Sequence, residues 1–412
     1  MIAFSCVGKI SNIKETEKFK IKDVKRFSSG WTIKTLNFQV NFGNSRINMQ
    51  IKNGYFSNPD GTIKAKDNYI YTYIKDGENT VSTKIDYQDR LDPELVKDVV
   101  FSKKFVLDTN TINRFVVEAI RDKFGAGSVV DPMDMDKYNI YNLNQANNLL
   151  EKINDDRKEY IYAGDFIDDV ERLLASDLIN NHKFRIYGEY EIRYADSKGT
   201  FYKAFVPKRI YMVPDDQKDT AEEKMEMQFD FYFNKEGFDS TDYEELNKCF
   251  MRGYVKYYDA QYKNDECKGN VYCPITVALV SSERKYIDGM KKKFSGFDNC
   301  QYKCMRLTCN YIDGAEKKEI TMDDLSEETR SDIECGLLDF EEVKRQFGGS
   351  TYGDRITEIR YSKYDVAFGI QETELIDEDF SSPEHDKKEK KADVSGISVE
   401  AGNPKDDEIF EI

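Results

Sequence analysis

Histidine is almost missing from this chain: it occurs only at 182 and 385. A Ser–His or Cys–His nucleophile pair would have to use His182, beside Asn181 at an expected helix-to-strand junction, where a capping or surface role accounts for it. No apolar run approaches the length of a membrane-spanning helix. The first residues, Met1-Ile2-Ala3-Phe4-Ser5-Cys6, lack the basic stretch and apolar core of a secretory signal, so a cytoplasmic location is expected. Phe124-Gly125-Ala126-Gly127-Ser128 is a glycine loop without the Lys-Ser/Thr of a phosphate-binding loop, and it follows a helix, not a strand. Asp134-Met135-Asp136, near Asp131, has the spacing of some metal-binding carboxylates, but in a loop containing Pro132 turn chemistry explains these acids. No catalytic residue and no cofactor is expected, and the chain does not read as an enzyme.

Paired C-x2-C knuckles are absent too. Of eight cysteines, six fall between 249 and 309, spaced C-x5-C at Cys267 and Cys273 and C-x3-C-x4-C at Cys300, Cys304 and Cys309. Strand alternation turns Cys300 and Cys304 to one face and Cys309 to the other. The expectation is structural thiols and no metal, with a zinc site across Cys267–Cys309 as the minority reading.

The net charge of −16 suggests an unsuitable partner for nucleic acid until it is divided along the chain. Residues 371–412 hold 14 acidic and five basic side chains, more than half of that excess. The remaining body is only mildly acidic and rich in Lys and Arg, which leaves room for a local basic surface.

With 39% hydrophobic and 33% charged residues, the chain is long enough for two or three cores. Its patterning predicts an α+β protein that is mainly β. A first β domain, also OB-like, spans 1–107, where Leu36, Phe38, Val40 and Phe42 alternate, Gly43-Asn44 turns, and Ile47, Met49 and Ile51 answer. A helical connector or insertion covers 108–182, with one helix from Phe166 to Leu178 capped by Asp165. A second β domain occupies 183–283: five strands, the first interrupted by Gly188, which suits an OB-like barrel. An α/β extension follows over 284–370. From 371 to 412, composition predicts a disordered acidic tail with a hydrophobic tip.

The strand faces turned away from the core mix aromatic and basic residues. In the first region these are Trp31, Arg46, Lys52, Tyr71 and Tyr73. In the second, Lys203, Phe205, Arg209 and Tyr211 alternate with an inward set of Ala204, Val206, Ile210 and Met212, and Arg252, Tyr254, Lys256 and Tyr258 repeat the pattern. Single strands are held by such mixtures, because bases stack on aromatic planes at roughly 1–3 kcal/mol each while cations follow the phosphates. The same aromatics are also ordinary strand formers and cross-strand partners.

An acidic run, Asp406, Asp407 and Glu408, leads directly into Ile409 and Phe410. Together with the aromatic and basic β surface, that ending resembles single-stranded DNA-binding replication proteins of bacterial and bacteriophage type. Members of that group end in an acidic run closed by hydrophobic residues, the bacterial tip generally finishing with Pro-Phe at the carboxyl terminus, whereas here Glu411 and Ile412 follow Phe410. The resemblance implies OB-fold barrels, coating of single-stranded DNA during replication, recombination and repair, and recruitment of other proteins through residues 406–410. A phage structural or assembly protein built from β domains is the competing reading; it would form symmetric oligomers and ignore DNA.

Overall fold

The computed structural model describes residues 2–16, 20–77, 79–195, 200–259, 262, 267–346 and 350–381. Alternation starts at once: Ile2, Phe4, Cys6 and Ile10 are buried along β1 (Ile2–Ser11). After the short edge strand β2 (Lys22–Arg26), the predicted hairpin forms from β3 (Trp31–Phe42) and β4 (Ser45–Phe56). Gly43 turns it with φ of +54°, a conformation that glycine adopts without a Cβ clash. Next come a separate two-stranded hairpin, β5 (Tyr69–Asp76) and β6 (Asn79–Asp86), and two short strands, β7 (Phe105–Asp108) and β8 (Lys158–Tyr160). The chain returns through β9 (Phe184–Ala195) and β10 (Thr200–Met212).

These returning strands close a ring. β1 pairs β3 and β9, β3 pairs β4, β9 pairs β10, and β10 meets β4 in parallel at Phe205 and Met49. Everything from 57 to 183 is therefore inserted between the third and fourth strands of one ring. Its helix Ala163–Leu174 turns Phe166, Ile167, Val170, Leu173 and Leu174 into the ring's core at the spacing of a single helical face. No side chain caps that helix at Tyr162, and Asp165, the expected cap, instead pairs with Arg90 at 2.9 Å. The helices Arg114–Gly125, Pro132–Tyr138 and Leu143–Asp156 pack on one another around Val117, Ile120, Leu150 and Ile153.

A second ring repeats the arrangement. It uses β11 (Lys224–Phe233), then, after the short β12 (Phe238–Asp239), β13 (Lys248–Tyr258), β14 (Asn270–Val280), β15 (Lys303–Glu319) and β16 (Ser350–Tyr364). β11 pairs β13 and β15, β13 pairs β14, β15 pairs β16, and β14 meets β16 in parallel at Ala278 and Arg360. A helix, Arg284–Lys291, again lies between the third and fourth strands. The rings join where β1 pairs β11, for example Phe4 with Met227, so among the described residues fifteen strands form one sheet with a shared core.

Two expectations are corrected here. The domain boundaries drawn at 107, 182 and 283 do not separate the rings: β9 and β10 belong with β1, β3 and β4, whereas the expected 284–370 extension supplies two walls of the second ring. Order also does not stop at residue 371. β17 (Ile370–Glu372) pairs β15, and Asp377–Phe380 forms a 3-10 turn with Phe380 buried. Apolar anchors at Leu375 and Phe380 offset the acidic composition there. No helix among the described residues is long and apolar enough to cross a membrane.

Candidate nucleic-acid interface

The β5–β6 hairpin has one dry face and one aromatic face. Ile70, Thr72 and Ile85 turn inward, Ile70 and Ile85 packing with Val99, Ile161 and Tyr162. By the period of two, Tyr69, Tyr71 and Tyr73 face away, and Tyr71 is 70% exposed. Lysines accompany them: Lys84, opposite Tyr71, holds its Nζ 3.3 Å from the Tyr69 ring centroid, and Lys103 lies 5.2 Å from that of Tyr73.

Backbone pairing carries this surface onto the first ring. Val100 N donates to Tyr73 O at 2.9 Å, and the next turn, Phe101–Lys103, presents Phe101 to solvent. The Arg209 guanidinium sits 4.5 Å from the Phe101 centroid and that of Arg157 sits 5.6 Å from it. Arg157 also donates to Glu159 at 2.8 Å, and Lys104 Nζ donates to the other oxygen of Glu159 at 2.9 Å. The Nε atoms of both arginines are buried with no hydrogen-bond partner among the described residues. Beyond Arg209, Tyr211 meets Tyr187 edge-on at 5.9 Å. Burial raises the Tyr211 phenol above its usual range, opposed by the charges of Arg157 and Arg209, so the phenol stays protonated at neutral pH. Tyr71, Tyr73, Arg209 and Tyr211 thus fall on one band, completed by Lys84, Phe101, Lys103, Arg157 and Tyr187, which the sequence reading missed. The signal available for Phe101 was an aromatic directly before Ser102-Lys103-Lys104.

Other expected residues lie elsewhere. Phe205 is 7% exposed and packs between Phe4, Tyr190 and Tyr311, so it belongs to the core and not to an outer face. The cause is a bulge between Pro207 and Arg209, opposite Gly188, which reverses inward and outward along β10. A Cβ on Gly188 would collide with the Phe4 ring and the Val206 carbonyl. Lys203 is exposed near the β9–β10 tip, close to Cys273 of the second ring. Trp31 lies across Gly54 and meets Phe56 edge-on at 5.0 Å, its Nε1 buried without a hydrogen-bond partner among the described residues; it packs as a cross-strand lid. Arg46 is exposed and donates to Asn41 at 3.1 Å, and Lys52 is half-buried on β4.

On the second ring, Arg252 pairs with Asp239 at 2.7 Å, Lys256 is half-buried opposite Tyr272, and Tyr258 is exposed beside Gly269. Tyr254 is half-buried. With Tyr272 and Tyr302 it forms an aromatic cup filled by Phe380, whose ring lies 4.0 Å from Tyr302, 4.4 Å from Tyr254 and 4.7 Å from Tyr272. Residues 406–410 lie outside the described residues.

Asp131 caps the helix Pro132–Tyr138, so Asp134 and Asp136 lie on a helix and not in the expected loop. His182 ends the turn Leu178–Asn181, its Nδ1 3.2 Å from Leu178 O. Burial pushes the thiol of Cys273 up to about 11 and that of Cys304 up to about 12, which suits inert core residues. Among the described residues no three His, Cys, Asp or Glu side chains are grouped to hold a metal.

No protein-family model matches the chain, and no curated protein matches it. Among solved structures, it is similar to a deletion mutant of the single-stranded DNA binding protein from Thermus aquaticus, at 6% identity and a TM-score of 0.28, over 89% of this chain and 93% of that one. A likeness at that score establishes neither fold nor function.

Proposed function

We propose that this chain binds single-stranded DNA without strong sequence preference, along the band from Tyr71 to Tyr211. The observation that carries this reading is the joining of four sequence-predicted residues, from elements far apart in the chain, into one aromatic and cationic surface. Exposed rings at Tyr69, Tyr71, Tyr73 and Phe101 suit base stacking, and Lys84, Lys103, Arg157 and Arg209 suit the phosphates. In this reading the two five-stranded rings are OB-type barrels, an architecture used for oligonucleotides. The insertion moves the binding surface of the first ring onto its own hairpin. The chain would coat exposed single strands during replication, recombination or repair in the cytoplasm, and residues 406–410 would recruit protein partners.

Fluorescence anisotropy of a labelled single-stranded oligonucleotide tests the reading. Binding in the micromolar range or tighter at low salt, falling steeply as salt rises, is expected. No binding at micromolar chain and low salt would sink it.

A further inference from the structure

The aromatic cup on the second ring is filled by a later segment of the same chain. Phe380 is 8% exposed within Tyr254, Tyr272 and Tyr302, and three residues earlier Asp377 Oδ1 accepts a hydrogen bond from Tyr302 Oη at 2.9 Å. Between them, Asp379 turns back to accept from its own Ile376 N at 2.9 Å and so serves the segment more than the cup. Leu375 also packs here, but the contacts made inside the cup itself come from an acid and a phenylalanine spaced Asp-x-x-Phe.

That spacing occurs again in the chain. Asp377-Glu378-Asp379-Phe380 is matched by Asp407-Glu408-Ile409-Phe410, and the one difference falls at the position of Asp379. We propose that residues 407–410 of the same chain are an alternative occupant of the cup, exchanging with 377–380: Phe410 would replace Phe380 and Asp407 would accept from Tyr302. Residues 381–406 connect the two copies. A chain of that length spans on the order of 30 Å, which makes the exchange intramolecular and places the second segment at millimolar effective concentration. A second copy of the chain has no such advantage in dilute solution. The inference is independent of DNA binding by the first ring.

The probe is a fluorescent synthetic peptide of residues 403–412, titrated with the full chain at nanomolar concentration. Three forms are compared: wild type, Phe380→Ala, and Phe380→Ala/Phe410→Ala. The double variant, with both resident anchors gone, is expected to bind the peptide at least tenfold more tightly than either other form. A peptide carrying Phe410→Ala should lose that binding. Equal affinity for the single and double variants would overturn intramolecular exchange. Failure of the double variant to bind, with a melting temperature matching wild type, would overturn the cup as an Asp-x-x-Phe site.

Discussion

The Arg209 guanidinium stands 4.5 Å from the centroid of Phe101, although the two residues come from a strand of the first ring and a turn within its insertion. This cation–aromatic contact is the joint between the hairpin tyrosines and the ring. Phe101→Ala should weaken single-stranded DNA binding by about 1–3 kcal/mol, roughly five- to 150-fold, in an anisotropy titration. Arg209→Lys should fail to restore wild-type affinity even though the charge is kept, because an ammonium lacks the planar stacking surface of the guanidinium.

Tyr71 and Phe205 should separate cleanly. Tyr71→Ala removes an exposed ring and should cost about 1–3 kcal/mol of DNA affinity with little change in melting temperature. Phe205→Ala empties a core position and should cost about 3–5 kcal/mol of stability, leaving the affinity of the folded protein close to wild type. Chemical denaturation and anisotropy on the same samples check both.

Gly54 is required by Trp31. A Cβ there would collide with the indole, so Gly54→Ala should destabilise the chain by about 1–3 kcal/mol and shift the emission of its one tryptophan as the ring moves toward water. Unchanged emission and unchanged unfolding would mean that Trp31 does not lie across this position.

How far the sequence speaks for the fold differs along the chain. The β3–β4 hairpin was legible because alternation and a glycine turn are local signals. Tyr71 and Tyr73 were legible for the same reason. Ring membership was not: it depends on parallel contacts such as Met49 with Phe205 and Ala278 with Arg360, which no local pattern encodes. Phe205 was misplaced because one bulge reverses β10, and a period of two carries no warning of it. Order at 371–381 was missed because Leu375 and Phe380 are sparse anchors among acids, and their partners lie on the second ring.

Asp169 ties the inserted helix to its surroundings. Its carboxylate accepts from Tyr160 Oη at 2.5 Å and Lys158 Nζ at 2.9 Å, and it also pairs with Arg172. Burial works against the charge, but these partners outweigh it and hold the carboxyl below its ordinary 3.8. A lowered folded value means the contribution is fully present above about pH 4 and is lost as pH falls below 3.8 toward the folded value. Asp169→Asn should therefore cost about 1–3 kcal/mol near neutrality, with the gap to wild type narrowing below pH 4. Melting temperatures of both forms between pH 2.5 and 7, about the range where carboxylates titrate, check the sign.

The most direct test of the central claim is the affinity of a mixed-sequence single-stranded oligonucleotide, measured across a salt series, for wild type and for Tyr71→Ala/Phe101→Ala/Arg209→Ala. The account predicts a loss of at least about 100-fold at low salt, and a plot of log affinity against log salt that is shallower by about 0.7 for the one lost phosphate contact. A triple variant that melts as wild type does, yet binds as tightly and with the same salt slope, would contradict it.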